Sequence, residues 1–310
     1  MRLVFRIAPF LLLLNISYNS FSQGCSDAGV CTINNIKDHS LNIANESLHR
    51  SYFHSGITYG LGEYDISYVN PYLEYTGVLS PKFSLSGKIT YAFISGELAK
   101  VNNLSDVTIS SSIVLTENET SLINAVVGVK IPLNKSNIKE GENLLPMHYQ
   151  SSLGTYDLIV GANYTLINLG VSIAWQQPLV NSNDNEFMKP VNTTLPEYKY
   201  TSTKSYQREG DVMLRVSYDY SLAERRLTIR PGILGIYHLA EDSYVDGSGI
   251  RQNIEGSQGL TLNGNLFLTY RFSNSKQLEL SVGSPFVTRK SRPDGLTRKV
   301  VAGLEYTYSF

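Results

Sequence analysis

The chain has 310 residues, of which 42% are hydrophobic and 17% charged, and its formal net charge is -1. That charged share lies below the roughly 25% of an ordinary soluble domain, and the near-balanced charge excludes an electrostatic footprint for nucleic acid. Polarity comes instead from Ser, Asn and Thr, beside 21 Tyr and a single Trp.

At the start, Arg2 and Arg6 precede the apolar run Ile7 to Leu14, and Ser20-Phe21-Ser22 supplies a small-x-small cleavage site. This reads as a signal peptide over 1–22. The run is too short to cross a bilayer as a helix, and no later run is long enough. An exported chain of this kind is either soluble beyond the inner membrane or a β-barrel in the outer one. Residues 23–49 are polar and aperiodic and are expected to form a short N-terminal periplasmic segment. Cys25 and Cys31 fall in it, and in an exported chain they most simply form one local disulfide. Lipidation of Cys25 is the weaker reading, because Leu is missing three residues before it. Two cysteines alone cannot fill a zinc site.

From His49 onward, segments with a two-residue period recur, each near the ~10-residue length of a spanning strand. Phe53, Ile57, Tyr59 and Leu61 oppose Tyr52, His54, Gly56 and Thr58. Val69, Leu73 and Tyr75 follow, then Phe83, Leu85, Ile89, Tyr91 and Phe93 against Ser84, Ser86, Lys88 and Thr90. Val107, Ile109, Ile113 and Leu115 oppose Asp106, Thr108, Ser110 and Ser112, and Ile123 to Ile131 alternates against Asn124, Gly128 and Lys130. Later segments start near Leu158, Leu169, Val212, Leu227, Leu260 and Leu278. The last, Val300 to Phe310, sets Val300, Ala302, Leu304, Tyr306, Tyr308 and Phe310 on one face and Glu305 on the other. It resembles the C-terminal signal strand of bacterial outer-membrane barrels, which the barrel-assembly machinery reads.

The expected fold is all-β: a transmembrane antiparallel up-and-down β-barrel of about twelve strands over 50–310. Short turns are expected near 77–81, 116–119, 167–168, 221–225 and 273–276, on the periplasmic side. Longer outer connections are expected near 95–105, 134–151, 178–209, 240–258 and 289–297, with 178–209 irregular.

Leu104-Ser105-Asp106-Val107-Thr108-Ile109-Ser110 is similar to the Gly-Asp-aliphatic strand opening of the meta-pathway-of-phenol-degradation outer-membrane family, with Ser105 in place of the Gly. The strand ending Ile131-Pro132 and the element Leu153-Gly154-Thr155-Tyr156-Asp157-Leu158 resemble the family's next features. The first residues after the signal look like the start of Bacteroidetes-type outer-membrane proteins. The resemblance implies a passive uptake channel for small solutes, apolar or aromatic ones among them.

Lys88, Lys130, Asp157, Arg215, Asp219, Arg230, Arg271, Glu279 and Glu305 fall on polar strand faces and are the candidate lumen-lining residues. The hairpin at 273–276 is expected to set Arg271 opposite Glu279, and Asp219 lies diagonally from Arg230. These charges form either a constriction that selects by sign or a salt-bridged filling of a narrow lumen.

No catalytic residue, metal or cofactor is expected. His54 and Ser55 point to opposite faces, and local spacing sets no Ser or Asp beside His238. Glu241, Asp242 and Asp246 read as a solvated loop, because calcium-loop spacing is absent. Gly60, Gly62, Gly247 and Gly249 read as turn residues. The function expected is an outer-membrane channel in contact with lipid and small solutes. A closed, adhesin-like barrel binding a partner through its outer loops and a barrel hydrolase are the alternatives.

Overall fold

The structure is a computed structural model that describes residues 51–223, 226–295 and 298–310, the last stretch beginning with the backbone of Arg298. The signal segment, residues 23–49 and the Cys25–Cys31 pair lie outside the described residues.

Alternation along the chain produces long antiparallel strands. They are β1 (Tyr52–Gly62), β2 (Ser67–Ser80), β3 (Phe83–Ser95), β4 (Lys100–Glu117), β5 (Ser121–Pro132) and β6 (Thr155–Leu166). The second half adds β7 (Leu169–Asn181), β8 (Asp211–Tyr218, resuming as Tyr220–Leu222) and β9 (Leu227–His238), then β10 (Gly259–Ser273), β11 (Lys276–Val287) and β12 (Arg298–Ser309). Thirteen hydrogen-bonded segments make the sheet, and joining the two parts of β8 gives twelve strands. Each strand pairs with its chain neighbours. The sheet closes where β1 pairs with β12, from Tyr52 opposite Ser309 to Leu61 opposite Val300. Ser51 and Phe310 exchange backbone hydrogen bonds at 3.1 Å and finish the seam. Closure leaves no strand edge unpaired, which hydrocarbon demands. Among the described residues no helix is long and apolar enough to cross a membrane; the strands do this instead.

The outward face is apolar. Ile57, Leu73, Ile109, Val127, Ile173, Leu214, Ile233, Leu280 and Leu304 are all exposed on it. Aromatic rings collect at the rim of the short turns. Tyr75 and Tyr308 stack on Phe310 at centroid distances of 6.4 and 5.9 Å, and Tyr218–Tyr220 and Tyr270–Phe272 sit at 4.7 and 5.0 Å. This is the girdle of a membrane interface.

Connections at that rim are short, as expected. At the other rim the expectation needs two corrections. First, 95–105 is not a loop: β4 starts at Lys100, so β3 and β4 are joined by 96–99 alone. Beyond the bulge between the Ile89 and Tyr91 pairings, Val101 resumes the inward–outward alternation of β4 in the opposite phase, so the polar composition and the phase change hid a strand. Second, β7 runs to Asn181, so the longest connection is 182–210; it lacks regular strands, as expected, apart from a short turn at Pro196–Lys199. This connection folds into the barrel mouth, where Asn185, Phe187, Tyr200, Thr203, Tyr206 and Arg208 are buried.

Candidate functional site

The interior divides into two zones. Nearer the short-turn rim it is polar. Thr76, Ser86, Ser110, Ser112, Asn163, Thr165, Ser172, Ser217 and Thr307 are buried there. Arg215, Asp219, Arg230 and Glu305 are also buried there, whereas Lys88, Arg271 and Glu279 are half-buried. Lys130 and Asp157 are buried nearer the outer rim, each two residues from the outer end of its strand. Lys130 Nζ lies 2.8 Å from Asp157 and 3.7 Å from Asp106. The two aspartates of the two family-like motifs thus converge on one lysine. Asp157 also accepts from Gln176 Nε2 at 2.5 Å, and Asp106 from Ser152 Oγ at 2.5 Å. Arg230 Nε donates to Asp219 Oδ1 at 2.5 Å.

Across the seam, Glu305 accepts from the Tyr72 hydroxyl and lies 3.4 Å from His54 Nδ1. Lys88 lies 3.8 Å from Glu74 and 3.7 Å from the Tyr72 ring centroid. The lining is therefore polarised. Glu74, Glu279 and Glu305 stand on β2, β11 and β12, and Arg215 and Arg230 stand on β8 and β9, with Arg215 in electrostatic range of Glu279.

The expected Arg271–Glu279 apposition is wrong. Arg271 pairs in register with Gln277, and Glu279 stands opposite Thr269 on one side and Glu305 on the other. An irregularity between Arg271 and Ser273 slips the hairpin register. Glu279 takes the Thr269 hydroxyl as donor at 3.1 Å.

Towards the outer rim the interior turns apolar and is roofed. Val126, Ile159, Ala174, Met213, Leu234 and Ile236 point inward from β5 to β9 and pack with Met147, Leu153, Tyr206 and Ile254 of the outer connections. On the other side Ile66, Tyr68, Ala92, Ile94, Ala99 and Val101 pack with Leu145, Tyr149, Phe187 and Tyr200. Gly295 meets this roof with positive φ, and a Cβ on it would come within 2.6 Å of the His148 Cα, so the approach of the two loops requires glycine.

A buried ionic latch ties the roof to the wall. Arg208 pairs with Asp211 and lies 3.7 Å from Asp294, which Arg289 binds at 2.8 Å. His238 is held by Asp211 at Nδ1, 2.7 Å, and by Asp242 at Nε2, 2.8 Å. Asp242 also takes the Tyr206 hydroxyl at 2.7 Å. Burial pushes the Tyr206 hydroxyl far up, and Asp242 adds to it, so it stays a donor. Burial alone would raise the Asp294 carboxyl, but Arg289 and Arg208 outweigh it and hold the group below the usual carboxylate range. The latch corrects two sequence readings: Asp242 is fully buried rather than a solvated loop residue, and His238 has two aspartates beside it. The i,i+4 spacing of His238 and Asp242 was the available signal.

Beside the latch, His148 is buried with its Nε2 3.7 Å from Glu63, which also takes Arg292. The Tyr64 and Tyr200 rings stand 5.7 and 5.2 Å from the His148 ring. Burial holds the His148 imidazole down at about 4, against the pull of Asp294. Both His238 nitrogens face carboxylates, and at His54 the Thr307 hydroxyl and Glu305 approach the same Nδ1. With a carboxylate on each ring nitrogen, the His238 arrangement is not a carboxylate–imidazole–hydroxyl relay. Among the described residues no group of three or more His, Cys, Asp or Glu has metal-holding geometry.

No family model matches the chain, and no curated relative is found. Among solved structures it is similar to the KdgM porin, at TM-score 0.43 and 12% identity, over 84% of this chain and 99% of that one. It is similar to the NanC porin at TM-score 0.44 and 8% identity, over 84% and 98%. The outer membrane phospholipase A of Escherichia coli gives TM-score 0.40 and 12% identity, over 84% and 95%. A closed, even-stranded barrel with an apolar belt, aromatic girdle and short turns at one rim is a Gram-negative outer-membrane protein.

Proposed function

We propose that this barrel is an outer-membrane channel for small polar solutes whose outer mouth is closed at rest by folded-in loops. One observation carries it: the inward side chains below the roof are hydroxyls, amides and paired charges rather than an interdigitated apolar core. A polar interior of this kind is what water-filled barrels of the outer membrane carry. Glutamates on one arc and arginines on another fit a polar or zwitterionic solute better than the aromatic compound the family resemblance implies. Membership of that family remains part of the proposal, as does recognition of the Phe310 strand by the barrel-assembly machinery.

Planar-bilayer recording tests it. The wild-type protein is expected to show rare, small openings, and a variant lacking 186–202 frequent, larger ones. Absence of conductance at any voltage in both proteins, with both migrating as folded barrels, overturns the channel. That result favours the second reading, a closed barrel that binds a partner through its loops, which the apolar packing of the roof supports.

A further inference from the structure

The lipid-facing wall is uneven. A groove of ≈ 610 Å³ crosses the outward faces of β11, β12, β1, β2, β3 and β4. Ile57, Leu73, Ile89, Leu104 and Leu304 border it and are exposed. Ser55 stands in register between Leu73 and Tyr306, and Pro71 lies opposite Ile57, so the wall dips where two short side chains replace large ones. The backbone adds to the dip. Pro71 has no N–H, and the β2–β3 ladder skips Asn70 and Pro71 between Val69–Phe93 and Tyr72–Thr90. The β3–β4 ladder bulges at the same level, between Ile89 and Tyr91. The volume falls within the about 300–1,000 Å³ of ligand pockets.

Its occupant follows from its setting. The groove is continuous with the apolar belt, so acyl chains are its solvent. At one end Leu278, Tyr306 and Ser55 lie towards the Phe310 end of their strands, the periplasmic side, and from there the groove runs up to Leu104 in the outer third of β4. We propose that this groove is a binding site for one acyl chain of a phospholipid from the periplasmic leaflet, held more tightly than the lipid around the rest of the barrel. The site stands whether or not the interior conducts.

The single Trp provides the test. Trp175 is exposed on β7, away from the groove, and reports ordinary boundary lipid. The double variant Trp175→Phe, Leu73→Trp moves the reporter to the groove rim, and Trp175→Phe, Ile89→Trp puts it on the facing rim in case the first fails to fold. Each protein is held in detergent micelles and titrated with phosphatidylcholine carrying brominated acyl chains, with heat-modifiable migration verifying the barrel. The groove reporter is expected to be half-quenched at a lipid-to-detergent ratio about ten-fold lower than Trp175. Adding Ser55→Phe, which fills the floor, is expected to return it to the Trp175 curve. Equal ratios for groove and Trp175 reporters overturn the site, as does tight quenching that survives Ser55→Phe.

Discussion

Along β9, Arg230 pairs with Asp219, while Leu234 and Ile236, four and six residues further on the same inward face, pack with Met147 and Tyr206. One strand thus lines a polar zone and an apolar zone in turn. In the polar zone charges pair on the wall itself, as Arg230 does with Asp219, whereas at the outer end the Lys130–Asp157 pair is completed by Asp106, which takes the hydroxyl of the loop residue Ser152. In the outer zone the wall presents apolar side chains that only the loops can cover. The roof is therefore held by burial, and the latch of Arg208, Asp211, His238, Asp242, Arg289 and Asp294 gives it one fixed position. A loop-covered outer zone fixed by its latch and a polar zone whose charges pair on the wall predict different consequences for mutation.

The largest effect is expected at the latch. Asp294→Leu leaves Arg289 and the Nε of Arg208 without their shared carboxylate in a buried site, and breaking such a pair costs about 3–5 kcal/mol. The loops 182–210 and 288–297 should become cleavable by added protease while the barrel keeps its heat-modifiable migration. Intact loops would show that the latch is not what fixes the roof. Next is Leu234→Ala, which empties a fully buried position in the apolar zone and should cost about 2–4 kcal/mol, read as a lower denaturant midpoint for loop release.

Acid should act on the roof through His148. Its folded value of about 4 lies below the ~6.5 of a free imidazole. Between those values the released loop binds a proton that the packed one does not. The stabilisation is therefore complete above pH ~6.5 and lost as pH falls towards 4, by about 3 kcal/mol in all. Glu63, Arg292, Asp294, Tyr64 and Tyr200 are the titratable groups around it. Protease sensitivity of the outer loops should rise across that window, and His148→Gln should flatten the response.

The two zones were unequally legible. Period-two alternation gave the strands and their outward faces, because lipid favours apolar side chains at outward positions. It gave the polar inward residues for the same reason, including Lys130, Arg215 and Glu305. The apolar zone was overlooked although its signal is present: Val126-Val127, Ile159-Val160, Ile233-Leu234 and Ile236-Tyr237 are apolar on both faces. Such doublets mark wall that must be covered from inside. Of the latch only the i,i+4 pair His238 and Asp242 was legible, since Arg208, Arg289 and Asp294 join it from two other connections whose approach is set by tertiary packing. The Arg271–Glu279 error came from a bulge at the hairpin, which alternation cannot report.

The smallest change in stability is expected in the polar zone, where the readout is selectivity. Glu305→Gln keeps an acceptor for the Tyr72 hydroxyl and removes one negative charge, so folding should shift by less than about 1 kcal/mol. Glu279 stands directly opposite Glu305 on β11, and losing one of two like charges relieves their repulsion. Under a salt gradient the reversal potential should move towards anion preference. Arg230→Gln removes a positive charge from the facing arc and leaves Asp219 with a neutral donor, so it should move the potential the other way. Opposite shifts from the two variants, with the barrel intact, would tie ion preference to the polarised lining. Equal potentials for wild type and both variants would mean that the solute path avoids these side chains.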